Sequence, residues 1–174
     1  GDRYFEMQEG AKCGRHAINN VLGGPQFVDG DFERAWEDVL AETGDGAALH
    51  QKANGWCSHS VLAAAMDLPV PPQARLLMSP LTPEAYHIVL GHPDVLGAII
   101  NQDNVHWTAI VKHSDALWYV DSCTVPKIVT QASFTATRKR HPFIFAVVGN
   151  EFEERLRDSE KCDDGWTHNG FVKL

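Results

Sequence analysis

The chain has 174 residues, of which 44% are hydrophobic, and it carries a formal net charge of −8 at pH 7. This length and composition predict one globular domain with a substantial core, and the negative charge argues against a nucleic-acid partner, because nucleic-acid binders carry concentrated positive surface. No apolar run approaches the roughly 18 residues that span a bilayer, and no charged-then-apolar leader opens the chain. We therefore expect no membrane association and a location in the cytoplasm or nucleus. We also expect a monomer.

The first predicted helix begins at Cys13. Apolar residues recur at helical spacing as far as Leu22, and the run Gly23–Pro25 ends the helix. The sulfur of Cys13 would therefore lie at the positive end of the helix. A cysteine attacks carbonyl groups as a thiolate, and a free thiol has a pKa of roughly 8.5, so a nucleophilic cysteine needs such a helix end and a histidine partner.

The segments that follow predict a mixed α+β domain. The pattern gives one helix over Asp31–Glu42, and Ser58 is a candidate cap for a second helix that Pro69 ends. Thr82–Glu84 has the composition of a helix start, with proline at the first helical position. Five short apolar runs are strand candidates: Leu76–Met78, Leu96–Ile100, Val105–Val111, Leu117–Val120 and Phe143–Val148. We expect the helices to pack on an antiparallel sheet.

Two of these strands form a predicted hairpin that brings a histidine to a carboxylate. If the turn centres on His113 and Ser114, residue 112 pairs with residue 115, and the register continues until His106 lies opposite Asp121. Directly opposed residues have Cβ atoms about 5 Å apart on one face of the sheet. Asp121 would then hold one nitrogen of the His106 ring while the other nitrogen faces a thiol.

Gln8 lies five residues before Cys13 and completes the order Gln, Cys, His, Asp, which is typical of a thiol protease. Each residue also has an ordinary structural interpretation. A lone cysteine near an apolar helix is usually a small buried hydrophobe, and a glutamine in an N-terminal loop is usually solvated. The chain has nine histidines, so one on a strand is unremarkable by itself. His106 stands out because Trp107 adjoins it and Asp121 opposes it.

The remaining polar residues point to no second chemistry. The four cysteines, at positions 13, 57, 123 and 162, are expected to be free thiols, because a catalytic thiol favours reducing surroundings. The cysteines and histidines form no paired CxxC or HxxxH set, so no bound metal is expected. The sequence has no glycine-rich phosphate loop, so no nucleotide cofactor is expected either. His16, Asn19 and Asn20 are expected to support the first helix by hydrogen bonds. The basic run Arg138–His141 predicts a solvated helix end before Pro142.

Three blocks of sequence carry a family resemblance. The block Tyr4–Leu22 reads YFEMQEGAKCGRHAINNVL and resembles the start of a Josephin domain, the catalytic unit of a family of deubiquitinases within the papain-like cysteine proteases. Residues 55–65, GWCSHSVLAAA, are similar to the segment that opens a later helix of that family. The pairs His106–Trp107 and Asp121–Ser122 are similar to the family's catalytic histidine and to the Asn or Asp that follows it.

The resemblance extends from about Tyr4 to Gly149. It implies a catalytic domain in residues 1–149, with a helical subdomain packed on an antiparallel sheet, and leaves residues 150–174 as a C-terminal extension. Within the extension, Glu151–Lys161 is a candidate helix docked on the domain.

By the same resemblance, the chain would be a deubiquitinase that hydrolyses the isopeptide or ester bond at the C-terminal glycine of ubiquitin, with ubiquitin conjugates as partners and no cofactor. Cys13 would be the nucleophile, His106 the base and then the acid, and Asp121 the residue that orients His106. Gln8 and the Cys13 backbone N–H would form the oxyanion hole.

Three alternatives stay open. The same residues suit a papain-like peptidase or acyltransferase with another substrate. They also fit an adaptor that binds ubiquitin with little catalysis, although the intact Cys13, His106 and Asp121 set counts against this interpretation. A ubiquitin-like modifier would be an equally suitable substrate for the same chemistry.

Overall fold

A computed structural model describes residues 4–8, 12–44, 46, 57–66, 74–78, 90–149 and 172–173. The helices among these residues are α1 Cys13–Leu22, α2 Asp29–Thr43, α3 His59–Met66 and α4 Gln131–Arg140. The strands are β1 Ala74–Met78, β2 Val95–Gln102, β3 His106–His113, β4 Ala116–Val120, β5 Lys127–Ile128, β6 Ile144–Gly149 and β7 Val172–Lys173.

The seven strands form one sheet in the order β5-β4-β3-β2-β6-β1-β7, and every neighbouring pair is antiparallel. Alternate residues of each strand point to opposite faces, so the sheet separates two cores. On one face, Trp107 packs with Ile18 and Leu62 from the helices α1 and α3. On the other face, Ile110 packs in a cluster that includes Phe134 from α4. The predicted α+β class, with helices packed on an antiparallel sheet, is confirmed.

Two glycines let α1 approach its neighbours closely. A Cβ atom added at Gly97 on β2 would lie 2.4 Å from the backbone oxygen of Ile110 and 3.0 Å from a methyl carbon of Val21. At the other end of α1, a Cβ atom at Gly14 would lie 2.9 Å from the sulfur of Cys57. Side chains larger than hydrogen would push α1 away at both places. Gly97 therefore lets the last turn of α1 lie close to the sheet, and Gly14 lets the first turn lie close to Cys57 and Leu62.

The hairpin of β3 and β4 differs from the predicted register. Its turn residues are Ser114 and Asp115, with φ values of 50° and 59°, and the pairing runs from His113 with Ala116 to Ala109 with Val120. The predicted pairing of residue 112 with residue 115 is wrong, because a two-residue turn of this kind needs positive φ at both positions and Asp tolerates it well. His106 and Asp121 are therefore not a direct cross-strand pair.

Other boundaries lie near their predicted places. The helix α2 begins two residues before the expected Asp31, because the Asp31 carboxylate accepts a hydrogen bond from the Val28 backbone N–H and so caps the helix one turn earlier. The basic run ends α4, as expected. The candidate helices at Thr82–Glu84 and Glu151–Lys161 lie outside the described residues. No helix within the described ranges has the length and apolar character to cross a membrane.

Candidate active site

Cys13 is the first residue of α1, and its side chain is almost completely buried. The preceding residue, Lys12, makes no side-chain hydrogen bond to cap the helix. The backbone N–H groups of the first helical turn have no partner within the helix and give its start a positive potential. A thiolate at Cys13 would therefore be stabilised by the helix to which it belongs.

Cys13, His106 and Asp121 are linked in one hydrogen-bonded chain. The Cys13 side chain hydrogen-bonds the His106 imidazole, and this contact is the largest single cause that raises the pKa of His106 to about 9. On its other side, the Nε2 atom of His106 lies 2.9 Å from Oδ1 of Asp121, which also raises the pKa, while partial burial opposes the rise. The imidazole is therefore protonated at neutral pH and is paired with a sulfur and a carboxylate.

A backbone contact holds the carboxylate of this chain in place. Asp121 follows the last residue of β4, and its Oδ1 atom also accepts a hydrogen bond of 2.9 Å from the backbone N–H of Cys123. His106 is the first residue of β3. Because the strand pairing ends at Ala109 and Val120, the contact between His106 and Asp121 depends on the turn after β4 and not on the ladder itself.

Gln8 lies against the same turn. Its backbone N–H donates to the Ser122 carbonyl at 3.0 Å, and its side-chain oxygen accepts from the Ser122 hydroxyl at 3.1 Å and from the Cys123 thiol at 3.2 Å. With the oxygen held by two donors, the amide nitrogen is the end of the side chain left to donate. The structure thus places Gln8 beside the turn that carries Asp121, and its donation to an oxyanion stays a prediction.

A buried polar network ties the N-terminal segment to α1. Asn20 accepts a hydrogen bond of 2.6 Å from the Glu6 backbone N–H, and Asn19 donates to the Glu6 carboxylate at 3.0 Å. His16 contacts the same carboxylate. These contacts agree with a supporting role for the three α1 residues. They also hold Glu6 in place, and Gln8 follows Glu6 by two residues. Glu6 had no distinguishing signal in the sequence, because its partners are 10 to 14 residues away.

The other described cysteines have different surroundings. Burial raises the pKa of the Cys57 thiol far above its ordinary value, and the neighbouring Cys13 adds to the rise. The Cys57 carbonyl accepts a hydrogen bond of 2.7 Å from the Trp107 indole. Cys57 is therefore a protonated packing residue that lies two residues before α3 and is hydrogen-bonded to β3. Cys13, Cys57 and Cys123 are free thiols, and Cys162 lies outside the described residues.

We expect kcat/KM to fall as the pH rises through about 9, because His106 then loses the proton that it would give to a leaving group. The folded-state pKa lies above the ordinary value of 6.5, so the associated stabilisation is complete below pH 6.5 and is lost as the pH rises through about 9. Asp121→Asn removes one cause of the raised pKa and should move this alkaline limb to lower pH. Rate profiles against pH measure the shift.

The control is Asp115→Asn, which removes an exposed carboxylate from the turn of the same hairpin. It changes the net charge equally but leaves His106 and its partners in place. Its alkaline limb should match that of the wild type. An alkaline limb that stays in place in Asp121→Asn would show that the carboxylate does not act on His106.

No protein-family model matches the chain, and no curated protein matches it. The resemblance to the Josephin family therefore rests on the motif residues. Among solved structures, the chain is similar to one described as a double glycine motif protease from an AMS/PCAT transporter in complex with the leader peptide. The TM-score is 0.45 at 14% sequence identity, over 84% of this chain and 90% of that chain. Similarity at this level does not identify a reaction or a substrate.

Proposed function

We propose that the chain is a cysteine hydrolase that releases ubiquitin from its conjugates. The observation that carries the proposal is the hydrogen-bonded chain of Cys13, His106 and Asp121 at the start of α1. A cysteine that serves only as a packing residue needs no imidazole held by a carboxylate. The arrangement instead supplies a nucleophile, a proton carrier and a residue that orients the carrier.

The proposed reaction has two steps. The Cys13 thiolate attacks the carbonyl carbon of the substrate's terminal glycine, and His106 gives its proton to the leaving amine as the carbon–nitrogen bond breaks. A thioester on Cys13 remains. Neutral His106 then takes a proton from water and becomes the imidazolium, while the resulting hydroxide attacks the thioester. Collapse of the tetrahedral intermediate expels the Cys13 thiolate, and the carboxylic acid product loses its proton to solvent. Asp121 keeps the ring in one orientation during both steps.

The oxyanion of each tetrahedral intermediate needs donors near Cys13. The backbone N–H of Cys13 is one candidate, and the side-chain amide of Gln8 is the other. Two donors hold the oxygen of this amide, so its nitrogen is available as a donor. A single donor of this kind contributes about 3 kcal/mol to transition-state stabilisation where it has been measured.

Two observations support ubiquitin as the substrate. The first is the resemblance of the block Tyr4–Leu22 to the Josephin family. The second is a cleft beside the first turn of α1, lined by residues that include Arg15, Phe32 and the carboxylates of Asp29 and Glu33. Asp29 is already paired with Lys12 and Arg15, which leaves Glu33 as the acceptor for a basic chain. The tail of ubiquitin carries arginines before its terminal glycines.

We expect Cys13 to react with a ubiquitin C-terminal electrophile at least about 100-fold faster than with the same electrophile on a two-residue glycine peptide, because remote contacts with the ubiquitin body lower the barrier of the chemical step. The measurement is the second-order labelling rate, followed by intact mass. Glu33→Gln should slow only the ubiquitin probe. Glu37→Gln, on the next turn of α2, is the matched control.

Similar rates for the two probes would favour the alternative, a papain-like peptidase or acyltransferase with small or peptide substrates. Labelling by a ubiquitin-like modifier alone would keep the mechanism and replace the substrate. No labelling by any probe, in a folded protein that retains the contact between His106 and Asp121, would leave the adaptor interpretation.

A further inference from the structure

A third potential metal ligand adjoins the pair His106 and Asp121. Cys123 follows Asp121 by two residues, and its sulfur, a ring nitrogen of His106 and a carboxylate oxygen of Asp121 all lie within 4.8 Å of one another. The Cys123 side chain is exposed, while His106 and Asp121 are half-buried. An ion can therefore reach the cluster from solvent. The side-chain oxygen of Gln8 lies 3.2 Å from the same sulfur.

The donor types decide which ion the cluster suits. A thiolate, an imidazole and a carboxylate are the three ligand types that Zn²⁺ takes in proteins, usually at four-coordinate sites. Hard cations such as Mg²⁺ and Ca²⁺ favour oxygen ligands and gain little from sulfur. An exposed carboxylate beside a histidine is common on protein surfaces. The thiol of Cys123 is what separates this cluster from such pairs.

We propose that His106, Asp121 and Cys123 bind Zn²⁺ reversibly and that the bound ion blocks the active site. The inhibitory part of the proposal rests on the proposed hydrolase function. Cys123 forms no bond to the substrate and transfers no proton in the proposed reaction. Its thiol donates to Gln8 and its backbone N–H donates to Asp121, and metal binding is a further role for its sulfur. The ion completes its coordination with water or with the Gln8 side-chain oxygen.

The proton balance explains the inhibition. On binding, the Cys123 thiol releases its proton, and the Nε2 atom of His106 releases the proton it shares with Asp121. The metal takes the sulfur, Nε2 and one carboxylate oxygen, with no change of oxidation state. The other ring nitrogen, which faces Cys13, then carries the remaining imidazole proton. An imidazole fixed in this form is not the imidazolium that protonates the leaving amine, and it has no free nitrogen that can take a proton from water, so both steps of the reaction stop.

The first experiment measures inhibition by Zn²⁺, with each variant compared to its own rate without the ion. Cys123→Ser keeps a hydrogen-bond donor for Gln8 but loses the soft ligand. Half-inhibition should need at least about tenfold more Zn²⁺, because even the loss of a residue that only hydrogen-bonds a metal ligand costs about tenfold in metal affinity. Cys162→Ser is the control for the loss of another thiol. Its half-inhibition should need the same Zn²⁺ concentration as that of the wild type. Equal sensitivity of Cys123→Ser and wild type would overturn the proposal.

The second experiment does not depend on activity. Co²⁺ replaces Zn²⁺ in such sites and gives a near-ultraviolet charge-transfer band when it binds a thiolate. Cys13→Ser should retain this band, and the double variant with Cys123→Ser should lose it. A band in Cys13→Ser, together with no hydrolysis of any substrate by the wild type, would uphold the metal site while the proposed function fails. Absence of the band in folded Cys13→Ser, with an active wild type, would overturn the site and leave the function intact.

Discussion

We expect Cys13→Ala and His106→Ala each to lower kcat/KM by at least about 1,000-fold while the fold is retained. Alanine at position 13 removes the atom that forms the thioester. Alanine at position 106 removes the imidazole that hydrogen-bonds the Cys13 sulfur and carries the proton. A 1,000-fold loss corresponds to about 4 kcal/mol of transition-state stabilisation. Initial rates on a ubiquitin conjugate measure the loss, and circular dichroism with thermal unfolding checks the fold.

Because nucleophile and base act as a unit, the losses should not add. The kcat/KM of the double variant Cys13→Ala with His106→Ala should lie within about tenfold of that of the slower single variant. His113→Ala is the matched control, because His113 ends the same strand that His106 begins. It should retain nearly full activity. A folded Cys13→Ala protein that turns over at the wild-type rate would rule out the proposed mechanism.

The second large effect is expected at Asp121. Asp121→Ala should lower kcat/KM by about 100-fold or more, because the imidazole loses the acceptor that fixes its orientation, and because the Cys123 backbone N–H loses its partner as well. Asp121→Asn should cost about tenfold or less near neutral pH, since the amide oxygen can accept both hydrogen bonds. Steady-state kinetics of the two variants provide the comparison.

The comparison of Asp121→Ala with Asp121→Asn separates the charge of Asp121 from its role in orienting His106. Asp115→Asn again controls for the loss of one negative charge on the hairpin. If Asp121→Ala and Asp121→Asn lose the same activity, then charge and not orientation is the contribution of Asp121. If neither loses activity, the hydrogen bond to His106 is a structural contact alone.

Local sequence signals predicted the first helix well and the hairpin less well. The bounds of α1 are visible because Cys13 opens an apolar periodic run and Gly23 stops it, and Gly23 indeed takes the left-handed φ of 79°. The hairpin register depended on the choice of turn residues. The sequence contains two adjacent candidate turns, one at His113 and Ser114 and one at Ser114 and Asp115. The tolerance of Asp115 for positive φ favours the second turn by only a small energy difference.

The parts of the site that the sequence missed depend on tertiary contacts. Gln8 meets Ser122 and Cys123 across more than 110 residues, so no spacing rule could pair them. The proposed zinc ligands likewise join His106 to two residues on the turn after β4 and show no paired ligand motif. The two-residue strands β5 and β7 are too short to show an alternating pattern.

The most direct test of the central claim is the intact mass of the protein after reaction with ubiquitin that carries a C-terminal electrophile, followed by peptide mapping. We predict one added ubiquitin per chain, attached to Cys13, absent in Cys13→Ala and formed much more slowly in His106→Ala. Attachment to Cys57, Cys123 or Cys162 with Cys13 unmodified would contradict the assignment of Cys13 as the nucleophile.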